Sequence, residues 1–499
     1  MIQLADYQNQ PGLENQVMFG GQTTVEDLSN INKALEAGSI TGRETTNLTS
    51  ASGSPLKVES LEKTLKVLTF GENQIVLWKN IPKSAAFNTV EEYNQLTDYG
   101  QERGGFNNEG ELPNEEDSTY VRRAQLVKFL GVVKSVTHPM TLVNTMIGSA
   151  IEREAKNGTM WILRKLDKAL YTGDSTIVPQ EFNGLLTQHQ QNDAFISMDQ
   201  YMNSEVVVDL RGKPLDEKSI ETAANAIVEN FGLGTELYAP PKVLSDFVKN
   251  FYGNKFIQPN TEQISAGIMG QRVKSFESQF GNIGLNYDIF FNKPAAKAYN
   301  AARTSPSSPE VIVPDSGTPV AVIGATVVSN KFTADDAGDY FYAVSAINRY
   351  GESALTPLSS AAAAAVLNGA IELKWAAGSS TYAATGFIVY RSQMGAVNST
   401  TGSQYYQLFT VSAAQLTAGY DGAAAGLARD LNRWLPNCNQ AMLVQQDQEI
   451  IEFKQLAPLM KMDLAIVAPA YRFMILLYGT PFLYAPKKMV RFINIGLAV

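Results

Sequence analysis

Two histidines and one cysteine are all the imidazole and thiol chemistry that this chain of 499 residues can offer. With Cys438 alone there is no intramolecular disulfide and no thiolate metal cluster, and imidazole chemistry is confined to His138 and His189. His138 directly precedes Pro139 and reads as a helix-entry residue, while His189 lies in the polar run TQHQQND and is expected at the surface. Cys438, in NCNQ, has no base beside it in sequence that would make it a nucleophile. Asp335, Asp336 and Asp339 (DDAGD) could offer carboxylates to calcium. They lack the spaced oxygen ligands and terminal Glu of a calcium loop, and they precede a strand. A second acidic run, Glu109, Glu111, Glu115, Glu116 and Asp117, reads as a solvated face or as the partner of a neighbour's arginine. Gly232-Leu-Gly234 lacks the third glycine of a dinucleotide loop and follows a helix instead of a strand. The chain also has no GxxxxGK[ST], HExxH, GxSxG or CxxC. The expectation is a protein that is not an enzyme and has no metal and no cofactor.

The composition supports the same reading. Forty basic against 49 acidic residues give a net charge of −9, the opposite of the balance that tight nucleic-acid binding selects. Apolar residues make up 44% and charged ones 18%, enough to bury several cores. The length predicts about three structural units. The most apolar region, Leu464 to Ala485, is broken by Pro469, Arg472 and Pro481, so no bilayer-spanning segment is expected. The opening MIQLADYQNQPGLENQ lacks the basic cap and apolar run of a secretion signal, and synthesis in a reducing cytosol is expected.

The elements that must position these residues follow from pattern. Residues 1–70 are polar and read as an extended arm. From Ile75 to Thr137, two β-prone flanks, IVLWKNI and LVKFLGVVKSV, enclose a polar stretch containing Gly104, Gly105, Gly110 and Pro113. That layout predicts a long two-stranded hairpin, an arm of about fifteen residues reaching about 50 Å. A lone hairpin is marginally stable in water, so it is expected to lie on another subunit. A helix is predicted through MTLVNTMIGSAIEREAKNGTMWILRKLDKALY, with Val143, Ile147, Ile151, Ala155, Ile162, Leu166 and Leu170 at helical spacing. It would be a rod of about 45 Å, weakened at Asn157-Gly158 and capped in left-handed geometry by Gly173. Residues 215–300 alternate helix and strand: LDEKSIETAANAIVENFGLG, TELYAPP, then PKVLSDFVKNFYG. Between Thr304 and Trp434 the composition shifts to Ala, Ser, Thr and Gly, with nine acidic and six basic residues. Tyr340, Tyr342, Val344 and Ala346, then Ile371, Leu373 and Trp375, then Ile388 and Tyr390 alternate along short strands, predicting an inserted β-sandwich with Trp375 in its core. Ala361 to Ala365 reads as a linker or strand edge. YRFMILLYG and PFLYAPKKMVRFINIGL return as strands that complete the interrupted domain against the long helix.

The order of these parts, with the helix running into ALYTGDS and then Phe182-Asn-Gly184-Leu185-Leu186, resembles the major capsid proteins of tailed double-stranded DNA bacteriophages. It is similar to their helix, Gly-Asp turn and Gly-Leu-Leu strand entry. GELPNEEDSTYVRRAQLVKFLGVVKSVT resembles that family's extended loop and return strand, and TELYAPPKVLSDFVKN the strand and helix of its axial domain. The resemblance covers roughly residues 70–300 and 435–499. DYFYAVSAINRYGES followed by IELKWAAGSSTYAATGFIVYRS resembles fibronectin-like or immunoglobulin-like modules of phage structural proteins, although here the Tyr-rich strand precedes the Trp strand.

The resemblance implies an α+β fold of the Hong Kong 97 type carrying an inserted all-β immunoglobulin-like sandwich. It divides the chain into an arm (1–70), an extended loop with flanking strands (71–138), a spine helix and peripheral domain (139–214), an axial domain (215–303), the insertion (304–434) and a C-terminal return (435–499). The implied function is self-assembly into hexamers and pentamers of an icosahedral capsid around a DNA genome, with the insertion on the exterior. Arg103, Glu109, Glu111, Arg122 and Arg123 are the expected inter-subunit contacts. The implied partners are other copies of the chain and portal, scaffold and decoration proteins, with DNA enclosed without sequence-specific binding and no membrane. The implied location is the virion capsid, with the host cytoplasm during assembly. Some family members crosslink through Lys and Asn; no residue here is assigned that role. Two other readings remain: an encapsulin-like compartment, which shares the shell fold, and a carbohydrate-binding or glycan-cleaving surface protein, which would need a signal segment and paired carboxylates.

Overall fold

The structure is a computed structural model. It describes residues 69–100, 106–112, 115–143, 149–191, 195, 197–254, 273–291, 313–314, 319–323, 330–359, 362–378, 382–396, 404–465 and 468–496. The predicted arm up to residue 68, and Arg103, lie outside the described residues.

The long helix forms because its apolar residues share one stripe. It spans Ala150–Thr172, 23 residues, about 34 Å of rod. The expected start near Met140 is too early: a separate short helix, His138–Leu142, gives way to extended backbone at Val143. β-Branched Val143 adopts extended backbone more readily than helix, and Ser149, also extended, sets the new N-terminus. Asn157-Gly158 is not a weak point. Gly158 is buried, and a Cβ there would meet the Ile475 side chain at 2.7 Å, so the missing side chain lets the helix approach the sheet beneath. Gly173 is not left-handed either, with φ −57°. Its smallness matters, because a Cβ would strike the Phe182 carbonyl at 2.5 Å.

That sheet has four strands in the order Lys83–Ala85, Ile451–Asp463, Ala470–Leu483, Lys128–Thr137. Ile162 of the helix packs with Phe473 and Ile475 of the sheet. The C-terminal return therefore lies under the spine helix, as the sequence suggests. The flank IVLWKNI is helical instead of extended: Leu77–Asn80 is a single α-turn that buries Leu77, with Ile81 buried four residues later. An i, i+4 apolar pair suits a turn as well as a strand, and Pro82 ends it. Leu185–Gln190 is likewise a short helix where the resemblance implies a strand entry.

A second, six-stranded sheet runs in the order Val207–Asp209, Met489–Ile495, Asn439–Val444, Glu236–Ala239, Gly281–Tyr287, Ser275–Ser278. Helices Glu217–Glu229 and Pro241–Asn254 alternate with its strands. The first is fixed by a reciprocal cap, with Ser219 N–H donating to Asp216 at 2.8 Å, and it buries Ile220, Ala223, Ala224 and Ile227. Past its end the residue with left-handed backbone is Phe231, φ 60°.

Within 313–430, strands Val320–Ile323, Ala370–Ala376 and Leu427–Asp430 make one antiparallel sheet, and Tyr342–Asn348, Gly386–Ser392 and Tyr405–Ser412 are the body of another. Trp375 of the first stands edge-on to Phe387 of the second at 5.7 Å, as its predicted core position requires. Ala363–Ala364 is a strand edge, paired to Asp339–Tyr340.

Candidate assembly interface

Strands Val90–Asp98 and Thr119–Leu126 pair antiparallel as a two-stranded sheet of their own. At nine and eight residues, each is about 26–30 Å long, shorter than the fifteen-residue arm expected. Alternation sends each side chain to one of two faces. One face carries the cross-strand pairs Val90–Leu126, Glu92–Ala124, Asn94–Arg122 and Leu96–Tyr120. Its apolar members are exposed, Tyr120 to 69% and Leu126 to 56%, and Arg122 forms an ion pair with Glu92 between them.

The opposite face holds the hairpin to its own subunit near the root. Tyr93 stands edge-on to Phe482 and Tyr484 at 5.5 and 4.8 Å, and Gln95 donates to the Tyr484 carbonyl while accepting from Arg123 Nε. Glu91 organises the turn into the first strand. It accepts the Phe87 and Asn88 N–H groups at 2.7 and 2.8 Å, and Lys454 lies 3.4 Å away. Burial alone would push the Glu91 carboxyl up, but those donors and the lysine outweigh it and hold it below the usual carboxylate range. Its contribution is therefore present above that range and lost as pH falls through the lowered value.

At the tip, Glu111 N–H donates to the Asn108 carbonyl at 3.1 Å and Gly110 takes φ 90°, the geometry of a turn that needs glycine at its third position. Glu111 also accepts from the Asn108 side chain at 3.0 Å, while Glu109 sits exposed at the corner. Tyr99, Phe106 and Leu112 are almost wholly exposed. Of the predicted contact residues, Glu109 and Glu111 thus share one turn. Arg122 and Arg123 lie on opposite faces. The sequence reading missed Glu92, Glu91 and Tyr93; the alternation in VEEYNQLTD is the signal that could have found them.

The other residues with chemical potential are engaged internally. His189 is fully buried, not exposed as its polar neighbours suggested. Its Nδ1 lies 2.8 Å from the Tyr201 hydroxyl and its Nε2 2.8 Å from the Met489 carbonyl. The carbonyl can only accept, so Nε2 carries the proton. Burial first, then Arg491, lowers the ring to about 3 against the pull of that carbonyl, so it stays neutral. The calcium candidate Asp336 instead accepts from Arg211 at 2.6 Å and from Asn432 at 2.9 Å. Among the described residues no cluster of three His, Cys, Asp or Glu is arranged to hold a metal ion. The one cysteine, Cys438, is buried.

Among solved structures, the chain is similar to the capsid of Myoviridae phage XM1 (8% identity, 88% of this chain and 97% of that one, TM-score 0.40). It is also similar to the SrpI encapsulin complex of Synechococcus elongatus PCC 7942 (8% identity, 89% and 94%, TM-score 0.38). In sequence it is 22% identical over 474 residues to the major capsid protein of Staphylococcus phage S25-3, covering 91% of this chain and 93% of that protein. The model of the SU10 major capsid protein family matches residues 41–309. The hairpin and the spine fall within that match, which covers more than half of the chain, so the chain belongs to the SU10 major capsid protein family and is a structural subunit of the tailed-phage virion, whose copies form the capsid shell.

Proposed function

We propose that the hairpin is the limb by which neighbouring subunits hold one another, closing head-to-tail into the hexamers and pentamers of an icosahedral shell of the Hong Kong 97 type. The observation that carries this is the exposed hairpin face: a two-stranded sheet with Tyr120, Leu126, Tyr99, Phe106 and Leu112 in solvent leaves apolar area that another copy can bury. Arg103, Glu109, Glu111, Arg122 and Arg123 set the register of that contact, with Arg122 exchanging Glu92 for a partner's carboxylate at little cost. The arm (1–70), loop (71–138), spine and peripheral part (139–214), axial part (215–303) and return (435–499) divide the work as in that fold. The insertion (304–434) is an immunoglobulin-like module displayed on the exterior, a reading supported by its two facing sheets. Portal, scaffold and decoration proteins complete the particle, and the net charge of −9 favours enclosing DNA without sequence-specific binding. The subunit assembles in the host cytoplasm and catalyses nothing.

Deleting residues 100–118 tests the reading. The expected product is folded, soluble subunits that form no shells in negative-stain images; normal particles would overturn it. Particles from the intact chain should contain DNA. Protein cargo in its place would indicate an encapsulin-like compartment.

A further inference from the structure

Between the spine helix and the six-stranded sheet lie two carboxyl groups for which shell formation gives no reason. Asp167, on the spine helix, and Asp288, directly after strand Gly281–Tyr287, are both fully buried. Asp288 is supplied with donors: the Phe290 N–H at 2.8 Å and the Tyr171 hydroxyl at 2.9 Å, one to each oxygen. Asp167 is supplied on one side only. Its Oδ1 accepts the Trp78 N–H at 2.9 Å, but its Oδ2, sealed from solvent, has no donor. A bare carboxylate oxygen beside a second carboxylate is one of the costliest arrangements a protein interior can hold.

One proton removes both difficulties. Carried on Oδ2, it neutralises Asp167 and donates to Asp288, which lies within hydrogen-bonding reach. The other titratable groups facing this site give no alternative counter-charge. They are Tyr171 from the same helix and Tyr238 from strand Glu236–Ala239, the latter bonded to Asn80 and Gln446, with Glu236 beyond it. Among the described residues neither carboxyl belongs to an ion pair.

We propose that Asp167 and Asp288 share a single proton, resident on Asp167, and that this proton lets Asp167 stay buried between the Leu77–Asn80 turn and Asp288. Burial first, and the Asp288 charge second, push the Asp167 carboxyl up to about 8, against the downward pull of the Trp78 and Val76 amides. The folded chain thus binds a proton that the unfolded chain releases at ordinary carboxylate pH. This contribution is complete in acid, shrinks as pH rises above that ordinary range and is gone once pH passes about 8. Rising pH up to about 8 is therefore the condition that loosens the turn.

The test uses Asp167→Asn in the full chain, purified as assembled shells. The amide keeps an oxygen for Trp78 and turns an N–H toward Asp288, imitating the protonated acid. Hydrogen exchange is followed on the peptide spanning 69–82 from pH 6 to 10 and corrected for intrinsic rates. Wild-type protection should fall about tenfold per pH unit from pH 6 up to about 8 and level off above it, while the variant should show no such slope. An identical profile in both overturns the proposal. Should the variant fail to fold, Asp288→Asn decides: with the neighbouring charge gone and the burial kept, the levelling-off should move well below pH 8, and its staying near 8 refutes the shared proton.

Discussion

Arg122 and Arg391 each face a carboxylate, and there the likeness ends. Arg122 pairs with Glu92 on the hairpin's outer face, with 72% of its side chain exposed. Arg391 pairs with Asp430 at 2.7 Å, wholly out of solvent. It also donates to Asn432 at 2.8 Å and lies over the Tyr340 ring at 4.7 Å. Asp430 takes a further bond from the Tyr342 hydroxyl at 2.8 Å. The contrast extends to whole strands: Gly386–Ser392 is buried at every residue, whereas Val90–Asp98 buries only Glu91. The strands between 313 and 430 satisfy their charges within their own chain, and their edge is tied to the six-stranded sheet. Arg211 donates to the Asn432 and Lys331 carbonyls at 2.8 and 2.7 Å, and Asn494 bonds Asp209 and the Arg433 carbonyl, each at 2.8 Å. The hairpin leaves its polar and apolar groups available for exchange. One chemical pair is therefore sealed inside the fold in one region and left in solvent in the other.

The sharpest way to break this comparison is to delete each region. Removing 308–432 takes away Asp336, Asn432 and Asp421, leaving Arg211 without its partners and Arg433 with Asp199 alone. The expected result is insoluble subunit, read from the soluble fraction, whereas deletion of 100–118 leaves it soluble. Equal solubility would erase the distinction. Arg391→Met strands Asp430 and should cost about 3–5 kcal/mol of folding stability by chemical denaturation. His189 adds a pH signature to the buried side. Its ring value is lowered in the fold, so protons favour the unfolded chain, and stability should decline by roughly 1.4 kcal/mol per pH unit from about 6.5 toward 3. His189→Gln should remove that slope. Arg122→Ala and Tyr120→Ala should change subunit stability by less than about 0.5 kcal/mol yet lower the yield of shells in light scattering.

The sequence reading succeeded wherever periodicity and burial agree. The stripe Ile162, Leu166 and Leu170, the buried face of Glu217–Glu229 and the alternation around Trp375 each select one element. It failed where a distant partner decides. Nothing near His189 in TQHQQND announces Tyr201 or the Met489 carbonyl, and nothing in DDAGD announces Arg211. IVLWKNI was read as a strand because apolar content alone does not separate a buried turn from a strand, and the amide that Asp167 holds there comes from 89 residues away. On the candidate interface the pattern placed the hairpin but not its root, because Tyr93 meets Phe482 and Tyr484 only through the fold.

Strands Ala470–Leu483 and Met489–Ile495 follow, in sequence, every other strand of the two sheets they join. Neither layer can close while the ribosome is still making them, and the pairings with Lys128–Thr137 and Val207–Asp209 span hundreds of residues, a topology that folds slowly. A half-made chain thus carries the hairpin before Phe482 and Tyr484, which seat Tyr93 at its root, have been added.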